Sequence, residues 1–528
     1  MRNRLYDYIK KLLLPCIALS MLTGFLSAIF ITAFKLAAEA VIRFSTQIYA
    51  TARSTTSLFP VLVLGAAAIG LAASFILSHS RSCRGGGIPT SVAAIRGIVS
   101  FRWFAGIFIL PFSALLTFLC GLPLGTEGPC VQMGTAVGDG VVKCFSSKKQ
   151  KGWRRYVMTG GASAGFSIAT SSPITAIIFS MEELHKHFSP MLLTVASVSV
   201  VTAQITTHLL ASLGIGSVSL FHIPDIDPVA PKFFFAALIV GIICGICAIL
   251  FTYLYRSVDK MMHSLLKKLS VKIVFPILFA CVAIVGFFFS DALRTGHSLT
   301  ERLFQRQAVW YILIIVFLIR AIFMTVSNTV GATGGIFLPT IAFGAIIGAL
   351  LADGMIALGW IGTEHYLIMV ILGITAFLGS TSRIPITACV FALEALGGIN
   401  NLLPIIIATT VALIIVEASG LEDFTDTVID AKVRSISKGK TPTVVEVSLV
   451  VKPDSFVVGK ELRDVLWPNS CSVVSFDQVQ KHHSMGIAEG DVITVHYKTY
   501  NPEATAEALR TLVGEQSDEV NRLMSSGS

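Results

Sequence analysis

The chain has 528 residues, 54% of them hydrophobic and only 13% charged, with a mean hydropathy of +0.77. Soluble domains carry about 25% charged residues, so this composition argues against a soluble enzyme and for a polytopic membrane protein. The net charge of +9 then reads as cytoplasmic loops, not as a surface for nucleic acid.

Arg2, Arg4, Lys10 and Lys11 place the N-terminus inside the cell. Residues 12–34 hold 23 positions without a charge, enough to span a hydrocarbon core of about 30 Å. Many similar runs follow, so the segment is a span and not a cleaved signal peptide. The stretch "RGGGIPTS" then sets Gly85, Gly86 and Gly87 before Pro89. Glycine lets backbone N–H groups approach a ligand closely, and the first turn of a helix leaves such groups unpaired.

Residues 104–125 carry no charge, yet "GLPLGTEGPCVQMGTAVGDG" (121–140) places Glu127 between glycines at a helix start. A carboxylate at membrane depth costs about 2.5–3.5 kcal/mol on insertion scales and marks a functional position. A helix N-terminus suits a carboxylate and equally a free anion. Two roles fit Glu127: a gate and proton carrier that yields its seat to an anion when protonated, or a static first-turn acid stabilising its own helix. Lys148, Lys149, Lys151, Arg154 and Arg155 mark a second inside loop. Two short segments later, Glu182 and Glu183 fall near the cytoplasmic face. There Glu183 is either a proton entry point or an interfacial acid beside Lys186.

Residues 187–231 contain no Lys or Arg and read as an outer connection; Lys260, Lys267, Lys268 and Lys272 mark a third inside loop. Arg294, Arg302 and Arg306 break the rule by falling outside. The ten cysteines are scattered, and Cys244 and Cys247 form a CxxC within an apolar span, where packing is their expected role. No zinc or disulfide pattern, Walker loop or nucleophile–base arrangement is present, so neither an enzyme nor a metal site is expected. "GATGGIFLP" repeats the glycine-rich entry, with Gly334 and Gly335 before Ile336 and Phe337.

"PITAIIFSME" (173–182) returns as "PITACVFALE" (385–394), 212 residues on, with Pro, Ile, Thr, Ala, Phe and Glu in place. "GTEGP", ending at Pro129, pairs with "GATGGIFLP", ending at Pro339, 210 residues on. Two halves of interrupted helices are the mark of a repeat-built transporter; the match alone leaves parallel and inverted arrangements open.

"GGGIP" (85–89), "GTEGP" (125–129), "GGIFLP" (334–339) and the "SPITAIIFSMEE" helix together resemble the CLC family of chloride channels and proton-coupled chloride transporters over residues 10–436. The resemblance implies an all-α polytopic membrane protein of broken and tilted helices in two inverted repeats (about 10–214 and 231–436). It also implies a homodimer with one pathway per subunit. Glu127 matches the family's gating glutamate and Glu183 its internal proton-transfer glutamate. Ile336 and Phe337 match backbone donors to the anion, beside Gly335, Gly86 and Gly87. The chain departs from the pattern at Gly86, where the family has serine, and at Thr126, where it has arginine. In "EDFTDTVIDAKVR" Phe424 or Thr425 stands at the inner-gate position of the family's tyrosine.

Past residue 437 the chain turns polar, with strand-like runs at 443–451 and 491–499. A linker at 437–441, an α/β unit at 442–515 and a disordered tail at 516–528 are expected. "VVKPDSFVVGKELRDV" and "GIAEGDVITVHY" resemble an RCK-C (TrkA-C type) regulatory module. That resemblance implies dimerisation and cyclic di-AMP, or another nucleotide, as regulator, or a bare assembly role. The expectation is thus an integral protein of the bacterial plasma membrane, lipid-embedded, with both termini cytoplasmic and no cofactor or nucleic-acid partner. Chloride/proton antiport leads, ahead of a passive anion channel and a fluoride exporter.

Overall fold

The structure, a computed structural model, describes residues 14–85, 87–99, 102–145, 152–216, 220–221, 223, 226–437, 443–453, 455–462, 465–468, 471–477, 486–499 and 502–514. Gly86, most of the linker, the terminal tail and the basic residues before Leu14 lie outside these. Among the described residues, nine helices are long and apolar enough to cross a membrane.

The first repeat comprises α1 (Leu14–Ser54), α2 (Phe59–His79), α3 (Ile88–Ile95), α4 (Leu110–Leu119, entered through a π-helical turn), α5 (Glu127–Phe145), α6 (Arg154–Thr170), α7 (Pro173–Phe179, continued by a π turn, Ser180–His185) and α8 (Pro190–Ser212). The second comprises α9 (Phe234–Lys268), α10 (Val271–Phe288), α11 (His297–Phe304), α12 (Trp310–Val330), α13 (Phe337–Ala357), α14 (Tyr366–Thr381), α15 (Pro385–Ala395), α16 (Leu402–Ala418) and α17 (Phe424–Ser437).

The 41 residues of α1 outrun the charge-free stretch read from the sequence. At 1.5 Å per residue the helix is about 60 Å long, so it must tilt or protrude. Lys35 does not end it, because its Nζ donates to the Ile168 carbonyl at 2.8 Å. That carbonyl is one of the unpaired acceptors at the end of α6, where a cation is favoured. The three arginines that broke the charge pattern are similarly occupied. Arg302 pairs with Asp291 at 2.6 Å, Arg306 with Asp353 at 3.1 Å, and the Arg294 guanidinium lies 5.7 Å from the Tyr49 ring centre. Arg320, fully buried in α12, donates to the carbonyls of Leu293 and Arg294 and ties down the loop before α11.

Each repeat holds a close helix pair, α5 with α6 and α13 with α14. A Cβ on Gly134 or Gly138 would strike the backbone at Gly161 or Val157, and one on Gly344 or Gly348 that at Gly373 or Met369. Small residues thus let the backbones touch, the usual route to tight packing where lipid supplies no hydrophobic drive.

The relation of the repeats is settled by two glutamates. Glu182 accepts from Ile386 N (3.0 Å), Thr387 N (2.7 Å) and Thr387 Oγ1 (2.7 Å). Glu394 accepts from Ile174 N (2.9 Å), Thr175 N (2.7 Å) and Thr175 Oγ1 (2.6 Å). Each acid near the end of its segment caps the start of the other's helix, which requires α7 and α15 to run antiparallel. The halves are inverted. Glu182→Ala is expected to cost about 0.5–2 kcal/mol, as loss of a capping side chain does. This would appear as a lower melting temperature in detergent.

The C-terminal unit is an antiparallel sheet of order β1-β3-β2, with β1 (Thr443–Val450), β2 (Cys471–Asp477) and β3 (Val492–Thr499), packed by α18 (Pro502–Leu512). Leu449, Ile493, Val495, Leu509 and Val513 form its core. The sequence reading missed β2, whose alternation is broken by a register shift between Val473 and Ser475. The unit rests on the start of α6 and the residue before it. Leu466 N donates to the Tyr156 hydroxyl (3.1 Å), Arg155 Nη1 donates to the Leu466 carbonyl (3.2 Å), and Phe456 packs edge-on against Trp153. The Lys460 ammonium sits 2.8 Å from the Phe456 ring centre and 4.4 Å from that of Trp153.

Candidate functional site

Glycine positions bring the starts of α3, α5 and α13 together. Gly125 and Gly335 exchange N–H···O bonds of 2.7 Å in both directions, a two-residue antiparallel bridge between the repeats. A Cβ on Gly128 would lie 2.6 Å from Gly335 Cα and 3.0 Å from Gly87 Cα, so the three chains meet backbone to backbone. Gly87, at φ +139°, adopts a conformation that side chains disfavour. Its N–H donates to Gln132 Oε1 (2.8 Å), while Gln132 Nε2 donates to the Ser82 carbonyl (3.0 Å). Buried Gln132 therefore fixes the start of α3 to α5. The sequence reading passed over it, although a glutamine five residues after Glu127 in an apolar helix is itself a signal.

Glu127 is the first residue of α5 and is fully buried. Its Oε1 accepts from the Thr126 hydroxyl at 3.2 Å, and its Oε2 is buried with no hydrogen-bond partner among the described residues. The carboxylate folds back over Gly125, where a Cβ would collide with Oε2, next to Leu338 and Pro339 of α13. It thus lies where the positive ends of two helix dipoles converge, a setting that stabilises negative charge without a fixed cation. Ile336 and Phe337 open α13 beside it; the Phe337 ring packs edge-on against Phe166 and Phe391, leaving first-turn N–H groups as the donors that α13 presents.

Glu183 lies in the π turn after α7 and is 2% exposed. Thr425 Oγ1 donates to its Oε1 at 2.5 Å, and its Oε2 is buried without a partner among the described residues. It is therefore not the interfacial acid beside Lys186 that the sequence also allowed. Lys186 binds Asp423 (2.7 Å) and Asp426 (2.6 Å) instead, and Arg96 reaches Asp426 (3.2 Å) and the Glu183 carbonyl (3.4 Å). Asp423 caps α17, accepting from Thr425 N at 3.0 Å. Of the two inner-gate candidates, Phe424 packs on Phe251 and Tyr255, and Thr425 carries the hydroxyl that faces Glu183. The sequence set Lys186 beside Glu183 and did not point to Asp423 or Asp426 as its partners. An acid directly before a helix is a capping signal, but its neighbours come from segments some 240 residues away.

The sequence profile described as voltage gated chloride channel matches residues 68–417. The chain is 27% identical over 413 residues to the H(+)/Cl(-) exchange transporter ClcA of Vibrio cholerae serotype O1, spanning 76% of this chain and 86% of that protein. Among solved structures it shares its fold with a slow cyanobacterial Cl-/H+ antiporter at TM-score 0.72 and 21% identity, over 79% of this chain and 98% of the other. A eukaryotic CLC transporter (TM-score 0.66, 20% identity, 80% and 74%) and a CLC-type fluoride/proton antiporter (0.64, 20%, 77% and 96%) share it too.

Proposed function

Because the chain belongs to the voltage-gated chloride channel (CLC) family, we propose that this integral membrane protein exchanges chloride for protons. The observation that carries the reading is a pair of buried carboxylates, Glu127 and Glu183, each with one oxygen unpartnered. Glu127 closes the anion seat where α5 and α13 meet and opens it when a proton neutralises the side chain. First-turn N–H groups of α13, at Ile336 and Phe337, hold the anion; Gly87, whose own N–H is taken by Gln132, allows close approach together with Gly335 and the undescribed Gly86. Glu183 receives the proton on the cytoplasmic side, with Thr425 at the inner gate. The test is the reversal potential in proteoliposomes carrying opposed chloride and proton gradients. A potential set by both ions supports exchange; one set by chloride alone would make the protein a passive channel. A fluoride gradient used in the same way separates the fluoride reading.

The protein works as a homodimer in a bacterial plasma membrane, with both termini cytoplasmic. Exposed apolar side chains on α7, α8, α15 and α16, among them Ile174, Ile205, Ile386 and Leu403, offer the surface for a second copy. The C-terminal unit regulates transport as an RCK-C-like module. Its contacts with Arg155 and Tyr156 support this, since Arg155 packs against Gly97 at the end of α3, next to Arg96. Titration of the full chain with cyclic di-AMP is expected to give saturable binding and a change in flux. Absence of binding at high micromolar concentration would leave the unit a structural clamp.

A further inference from the structure

We propose that Asp423 is a second internal carboxylate that sets when Glu183 is loaded with a proton. The inference rests on the role given above to Glu183 and adds the group that tunes it. Thr425 is held from two sides: its hydroxyl donates to Glu183 Oε1 at 2.5 Å, and its N–H donates to Asp423 Oδ1 at 3.0 Å. One residue thus separates two buried carboxylates, Glu183 at 2% and Asp423 at 3% exposure.

The charges around them fix where a proton goes. Among the described residues, three carboxyl groups, Glu183, Asp423 and Asp426, face two cations, Lys186 and Arg96. His185, on the same turn as Glu183, bonds instead to the Thr159 hydroxyl. The cluster is neutral when it holds one proton. Both cation side chains bind the aspartates: Lys186 touches Asp423 and Asp426, Arg96 touches Asp426, and toward Glu183 Arg96 offers a bond only to the backbone carbonyl. The proton therefore resides on Glu183, whose bare Oε2 has no competing donor. Asp423, paired with Lys186 at 2.7 Å, favours that loaded state by like-charge repulsion across Thr425. Lys186, with 39% of its side chain exposed, links the cluster to the aqueous face.

Asp is also a common N-cap, so a purely structural role is the competing account. Asn caps about as well as Asp, and Asp423→Asn therefore removes the charge and keeps the cap. In proteoliposomes its exchange activity is expected to show an inside-pH midpoint lower by about one unit, the size of a near charge's effect. Its melting temperature should stay at the wild-type value, whereas Asp423→Ala should melt lower. Lys186→Gln removes a countercharge and is expected to move the midpoint up. Opposite shifts from the two variants would not follow from a lost cap. Midpoints equal to wild type in both, with Glu183→Gln uncoupled, overturn the role of Asp423 and leave Glu183 standing. Full coupling in Glu183→Gln removes the premise, and the proposal with it.

Discussion

Glu127→Gln is expected to conduct chloride without moving protons. The amide has nearly the shape of the protonated carboxyl, so it fits the site over Gly125 and cannot take up or release a proton. Among the described residues no lysine or arginine is bonded to the wild-type side chain, and its side-chain hydrogen bond comes from Thr126. It is held chiefly by the dipoles of α5 and α13, and this attraction depends on its charge. Neutralising it removes the competitor for the anion. In proteoliposomes with a chloride gradient, proton uptake should fall to the leak level while chloride efflux persists and loses its dependence on outside pH. A variant that still drives protons uphill would refute Glu127 as the proton-carrying gate.

Glu183→Gln is expected to uncouple the ions in a different way. Its own side chain would still accept from the Thr425 hydroxyl through the amide oxygen, so local structure should survive. Loading from the cytoplasmic side would stop, and proton transport should drop sharply. Chloride flux should continue and should still respond to outside pH, because Glu127 remains titratable. That residual outside-pH response separates this variant from Glu127→Gln. Unchanged coupling would move the proton route elsewhere.

The family's inner-gate tyrosine has no counterpart here, where Phe424 and Thr425 stand. The Thr425 hydroxyl donates to Glu183, so under the proposed function the inner gate would be joined to the proton site.

The sequence by itself determined that the chain lives in a membrane, that it contains a repeat at 210–212 residues, and which glycine-flanked acid to examine. These are local or periodic properties: charge-free runs, breakers before helix starts and a decapeptide that recurs in register. It also located β1 and β3, whose apolar alternation is regular. Only the tertiary structure decided that the repeats are inverted, because that fact lives in bonds between residues about 204–220 apart, Glu182 with Thr387 and Glu394 with Thr175. It likewise decided the length of α1, since a lysine at position 35 ends a span unless a distant helix end receives it. The choice between an interfacial and a buried Glu183 was closed to the sequence for the same reason. Lys186 stands three residues away along the chain, yet its ammonium binds Asp423 and Asp426 of α17. Proximity in sequence suggested one ion pair; the energy of a buried charge, which depends on every neighbour within a few ångströms, selected another.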